Sequence, residues 1–372
     1  MLWRSGETDK APLWIQKAFE LAKGLGAPDV LSRCYNDLGV LAGKNGDFEK
    51  ASDYYEKGLK VAFESNLPAG HALTVYNNLA ELYWSAGEFQ KTFETAQKGT
   101  EMAKKVGALY NFTWIYSLFA ASYAYMGEIQ KAVFMFEEIL ELDKRIKQTS
   151  RLSMDMLALG LCSWVLGDWG KSLQYMLEAW DLAKAAGEYQ FSGGVASELG
   201  GLFTEMEDYV EAEKYLNESN TIFQSAGDAS GQCIEVFPAL SKLYLKKGDS
   251  NKAEELIEKA YEYAVKTKSR LILSEAEMLK AMLFREQKKW GQSVEHFEKS
   301  LQEHKSMNSQ KWYVTKFAEL LYEYGLMYLK RNGEGDKEEA YSLLDQALEI
   351  YRRIDAKKMI EKIIATKKLL TA

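Results

Sequence analysis

Histidine, cysteine and proline are all scarce in this chain. Its 372 residues include only three histidines, His71, His296 and His304, which leaves little material for metal binding or proton shuttling. His296 and His304 are eight residues apart, whereas a helical zinc pair needs a spacing of four. They stand beside Glu295 and Glu303 and read as members of an exposed helix face. The three cysteines, Cys34, Cys162 and Cys233, are far apart and form no C-x-x-C pair. That excludes a disulfide framework and a zinc ribbon, and it points to a reducing, cytoplasmic setting. Four prolines are few for this length and favour helices. No apolar run approaches the ~18 residues of a membrane span, and "MLWRSGETDKAP" lacks the basic start and apolar stretch of a secretory signal. A basic excess is missing too. The formal charge of −7 argues against direct contact with nucleic acid or an anionic membrane. These absences leave no catalytic constellation, no metal site and no cofactor site, so the expectation is a protein that binds rather than catalyses.

One stretch tempts otherwise. "GDWGKS", Gly167 to Ser172, ends in the Gly-Lys-Ser of a phosphate-binding loop. That loop requires a further glycine five residues before Gly170, because successive backbone N–H groups must turn inward onto the phosphates. The position is Val165, and "DMLALGLCSWVL" offers no strand to launch the loop. The stretch has sisters instead: "GETDKA" at 6, "GDFEKA" at 46, "GEFQKT" at 87, "GEIQKA" at 127, "EDYVEA" at 207, "GDSNKA" at 248, "KKWGQS" at 288 and "GDKEEA" at 335. They recur every 40 or 41 residues, with 47 for the last step. A fixed period of this size marks a repeat array, and "GDWGKS" is its turn.

The rest of each copy agrees. Seven residues before the turn stand Gly39, Ala80, Ala120, Gly160, Gly200, Ser241 and Ala281, all small. Four before it stand Tyr83, Tyr123, Phe203, Tyr244 and Phe284, and five after it a small residue such as Ala51, Ala132 or Ala253. Small residues at fixed places on two successive helices let the backbones approach, and apolar spacings of three and four mark both flanks as amphipathic helix. In the last copy Gly325 reaches the small position only if three residues are inserted near "NGEG".

This pattern of small residue, aromatic, Gly-Asp/Glu turn and alanine resembles the tetratricopeptide repeat over essentially the whole chain. The resemblance implies an all-α solenoid of antiparallel helix pairs, a superhelix of about nine repeats with the first truncated, spanning 1–372 as one repeat domain. A capping helix is expected over 355–372. The period exceeds the usual 34 residues, and the closing proline is absent. Such long repeats are similar to those of MalT-like regulators and kinesin light chains. Because the chain begins inside a repeat, it reads as a fragment with an upstream domain of the same polypeptide. The resemblance then implies a ligand- or partner-sensing region of a larger signalling or transcription-regulatory protein. The alternative is an interaction scaffold that holds a peptide or helix. Partners would be a protein or peptide, or a small-molecule inducer.

In such arrays the ligand faces one stripe of each first helix. That stripe gives Arg33, Asn36, Asn77, Trp84, Trp114, Ser117, Met154, Leu157, Leu161, Trp164, Ser197 and Gly201 as candidate groove residues. Asn36 and Asn77 are equivalent positions, and an amide offers donor and acceptor together to a peptide backbone; each could equally bridge its own helices. Trp84, Trp114, Met154, Leu157, Leu161 and Trp164 form an apolar wall beside a floor of Ala121, Ala124, Gly194 and Gly201. That is the outline of a pocket, unless the tryptophans pack across it. In "FSGGVASELGG", Gly200 is explained by packing, while Gly193, Gly194 and Gly201 either admit a ligand or soften the array. Pro238 is expected to kink or delay its helix.

Overall fold

The computed structural model describes residues 11–187, 189–228 and 231–369, and the expected turn at residue 6 lies outside them. Among the described residues there is helix and no strand. The chain falls into two compact units, Met1–Ser122 and Tyr123–Ala372. The first holds α1 (Ala11–Leu25), α2 (Pro28–Lys44), α3 (Phe48–Glu64), α4 (Ala69–Ser85), α5 (Phe89–Val106) and most of α6 (Leu109–Tyr125). The second continues with α7 (Ile129–Arg145), α8 (Thr149–Leu166), α9 (Trp169–Ala186), α10 (Tyr189–Glu205) and α11 (Tyr209–Ser225). A π-helical turn, Gln232–Val236, leads into α12 (Phe237–Lys247). Then follow α13 (Ser250–Thr267), α14 (Arg270–Glu286), α15 (Trp290–Ser306), the short α16 (Ser309–Trp312), α17 (Val314–Arg331), α18 (Asp336–Arg353) and α19 (Lys357–Leu369).

Each helix pair is made by a turn and a small residue. Gly46, Gly87, Gly127, Gly167 and Gly248 have positive φ, and Glu207 and Lys288 take the same left-handed conformation without being glycine. The aspartates that follow, Asp47, Asp168, Asp208 and Asp249, cap the next helix by accepting the backbone N–H three residues on. In "GDWGKS", therefore, Gly167 ends α8, Asp168 caps α9 and Lys171 lies in the first turn of that helix.

At the small positions, a Cβ on Gly39 would stand 2.6 Å from Tyr55, one on Gly160 2.8 Å from Met176 and one on Gly200 2.4 Å from Leu216. Each partner lies sixteen residues further along the chain. Gly325 packs against Leu344, nineteen residues on, which places the three extra residues of the last repeat between its two helices. Buried serines tie the pairs further: Ser219 donates to the Gly193 carbonyl and Ser300 to that of Ser274, both at 2.7 Å.

Pro238 stands at the start of α12, and the preceding residues form the π-turn. The missing N–H delays the α-helix, as its chemistry requires. A charged cluster is sealed in the second unit where α7 meets α8. Arg151, 2% exposed, donates to Asp143 at 3.0 Å and to Asp155 at 3.4 Å. Burial first, and the negative charge of Asp143 next, push the Asp155 carboxyl up to about 7 against the pull of Arg151.

Candidate functional site

In the first unit the sequence candidates are mostly engaged with their own helices. Arg33 is exposed, and Asn36, Asn77, Trp84, Trp114 and Ser117 are half-buried. The Asn36 side-chain oxygen accepts from Asn78 at 2.9 Å, a bond between α2 and α4. Asn77 donates along its own helix to Glu81 at 3.1 Å, and its amide oxygen is buried with no hydrogen-bond partner. The repeated asparagines are therefore equivalent in sequence but not in contact. Ser117 bonds back to the Trp114 carbonyl at 2.7 Å.

In the second unit Met154 is exposed, while Leu157, Leu161 and Trp164 pack against the core of α9 and α10. The Trp164 ring stands 3.2 Å from where a Gly201 Cβ would be, so this indole covers part of the glycine floor. Gly193 is filled by Phe223, whose ring would lie 2.6 Å from an added Cβ; packing explains this glycine, contrary to the sequence reading. Gly194 has open space around it. Ser197 is buried and donates to the Glu235 carbonyl at 2.8 Å, which joins α10 to the π-turn.

What the later first helices of the second unit bring together is charge, at none of the candidate residues. Lys242 of α12 bonds Glu275 of α14 at 3.1 Å and Glu319 of α17 at 2.9 Å, reaching over two repeats on the inner face. Lys316 bonds the same two carboxylates, each at 3.3 Å. Burial would raise both carboxyls, but the two ammonium groups hold Glu275 and Glu319 below the ordinary range. Glu198 and Glu235 complete the cluster, and neither has a hydrogen bond or ion pair to its side chain among the described residues. Burial is the main cause that raises Glu198, with Glu275 adding to it. Burial, then Glu198 and Glu275, push Glu235 up to about 8. Four carboxylates thus face two ammonium groups.

His304 lies at the edge of the same groove and corrects the exposed face expected for it. It is 4% exposed, with its Nδ1 buried and unpartnered, and burial lowers its pKa to about 4. It lines a hollow of about 10 Å³ with Glu275, Tyr313 and Lys316. His296 is likewise mostly covered, with Nδ1 2.5 Å from Glu277. Glu235, Lys242 and Glu275 fall on the inner stripe of the sequence pattern, but Glu198, Lys316 and Glu319 lie off it. No local signal in the sequence marks these six, because the helices that carry them hold other charged residues as well.

Among known proteins, the tetratricopeptide repeat model matches residues 32–64 and 235–264. The photosystem I assembly protein Ycf3 of Prochlorococcus marinus subsp. pastoris is 28% identical over 138 residues, covering 33% of this chain and 77% of that protein. A Rap protein solved in complex with competence and sporulation factor is similar over 95% of both chains, with a TM-score of 0.68 and 14% identity. Aspartyl phosphate phosphatase F from Bacillus subtilis is similar over 77% of this chain and 74% of that one, with a TM-score of 0.56 and 15% identity. At these identities the structural likenesses speak for fold alone. The chain is a tetratricopeptide-type repeat array, a fold that serves protein interaction.

Proposed function

We propose that the second unit is a peptide receptor. Its inner groove takes a short extended peptide bearing a cationic group, an amino terminus or a Lys or Arg side chain, between Glu198 and Glu235. The observation that carries this reading is the pair of unsatisfied carboxylates in a groove whose other charges are matched. Both side chains are half-buried, which disfavours their ionised forms, and an incoming cation offsets that cost. A helical partner fits less well: Lys242 reaches Glu319 at 2.9 Å across the inner face, while a helix with its side chains needs about 10 Å of clear width. A Rap protein of similar fold was solved with competence and sporulation factor bound, and this supports a receptor over a plain scaffold. The bound state would be passed to a partner protein or a neighbouring domain, and the chain itself would catalyse nothing. A small cationic inducer would satisfy the same carboxylates.

The test is calorimetric titration with pooled five- to seven-residue peptides, each with and without a Lys or Arg, and with small polyamines as a separate arm. The expected result is binding by cationic peptides that Glu235→Gln weakens by about 2 kcal/mol, the scale of a lost charge-assisted contact. Equal binding of neutral peptides, or no effect of Glu235→Gln, overturns the reading.

A further inference from the structure

The last helices of the second unit pack back on that unit's first turns. Gly127 and Gly167 mark the place. A left-handed turn does not itself demand glycine here, because Glu207 and Lys288 adopt it at φ 64 and φ 57. At Gly248, φ +80, an added Cβ would have nothing within 4 Å. At Gly127, by contrast, it would stand 2.6 Å from Ile354 Cγ2 and 3.1 Å from Val314 Cγ2, and at Gly167 2.9 Å from the Lys358 backbone nitrogen. These two glycines make room for the corner between α18 and α19.

Side chains continue the closure. Lys362 lies 3.6 Å from Glu205, the residue at the end of α10 that Lys246 also holds at 3.0 Å. Lys358 stands 6.0 Å over the Trp169 ring and Lys362 5.3 Å over Tyr322. Tyr125 meets Tyr313 edge to face at 5.6 Å. The links from α19 to α9 and α10 are of the kind that breaks easily. The Lys362–Glu205 pair is 44% and 31% exposed, and exposed ion pairs contribute little. Five of the thirteen residues of α19 are lysines, four of them exposed.

We propose that α19 is a latch: it seals the groove by seating on the turns at Gly127 and Gly167 and on Glu205, and it opens by local detachment while the repeats stay folded. The seal does not depend on which ligand the groove takes, and its test uses no ligand.

A Glu198→Cys variant of the full chain places a thiol in the groove, to be labelled with a fluorescein maleimide at pH 7.5. The native thiols are buried, and desolvation pushes Cys162 up to about 12 and Cys233 up to about 11, so they stay unreactive. In that background Gly167→Ala should speed labelling at least about tenfold by favouring local opening, and Gly248→Ala, with the same backbone strain and no clash, less than about twofold. Hydrogen exchange over 357–369, measured on the two glycine variants without the added cysteine, should rise in the same order. Equal effects of the two substitutions would mean general loosening, and no effect of either would make α19 a fixed cap; both overturn the latch. Neither outcome bears on peptide binding at Glu235.

Discussion

Gly194 and Gly200 lie six residues apart on α10 and do opposite things. A methyl group on Gly200 would stand 2.4 Å from Leu216 Cγ and 3.1 Å from the Ala212 carbonyl, whereas one on Gly194 would meet nothing within 4 Å. Gly200→Ala is therefore expected to destabilise by about 1–3 kcal/mol through overpacking. Gly194→Ala should stabilise by about 0.5–1 kcal/mol, because glycine in a helix interior carries an entropic penalty. Denaturant unfolding of both variants checks the pair, and equal signs would mean that α10 is misplaced. Asp155 gives a second residue-scale prediction. Its folded pKa, about 7, lies above the ordinary carboxylate value, so its ionisation opposes folding. The stability it contributes is complete below about pH 4 and lost as the pH rises through about 7. Asp155→Asn removes that dependence, and the difference in Tm between wild type and variant should drift from about pH 4 to about pH 7 and level off above it.

At the scale of helices, the turns differ in a way that thermodynamics can read. Asp47, Asp168, Asp208 and Asp249 cap their helices through the side chain, while Glu88 and Glu128 at equivalent places make no such bond. The extra methylene carries the glutamate carboxyl past the N–H that an aspartate reaches. Glu128→Asp should gain about 0.5–1 kcal/mol and Asp168→Ala lose about 1 kcal/mol, read from thermal unfolding. These elements were legible in the sequence because turn, small residue and period are local rules repeated along the chain. Gly325 and its three-residue insertion could be placed before any helix was seen, and so could the delay at Pro238. The groove was not legible in the same way. Glu198 and Glu235 are 37 residues apart, and their place beside Glu275 and Lys316 without an ion pair of their own depends on how three repeats curve. Asn36 finds Asn78 rather than its sequence equivalent because the contact crosses between α2 and α4. Phe223 fills Gly193 from the following helix, and His304 is buried by Tyr313 and Phe317, whose rings lie 6.4 and 5.9 Å away. Each of these depends on a partner further along the chain, on another helix of the same repeat for Gly193 and in a different repeat for the others.

For the molecule as a whole, occupancy of the groove should be linked to protons. In the empty groove Glu235 is largely protonated at neutral pH, since its pKa is raised to about 8. A bound cation favours the ionised form, so binding at pH 7 should release a proton and affinity should rise from pH 6 to about 8, then level off. Titration in phosphate and in Tris, whose ionisation enthalpies differ, measures that release directly; identical heats would place the cation elsewhere.

The contact between Gly127 and Ile354 has a further consequence. A linear repeat array is held by nearest-neighbour interfaces, so it frays from its ends and can melt in stages. Here residues more than two hundred positions apart touch, and the last helices rest on the first turns of the same unit. Such a closed circuit gives the terminal repeats a second neighbour. With that contact seated, its melting should be more cooperative than that of an open array, and folding should be slowed by the loop that must close before the contact can form.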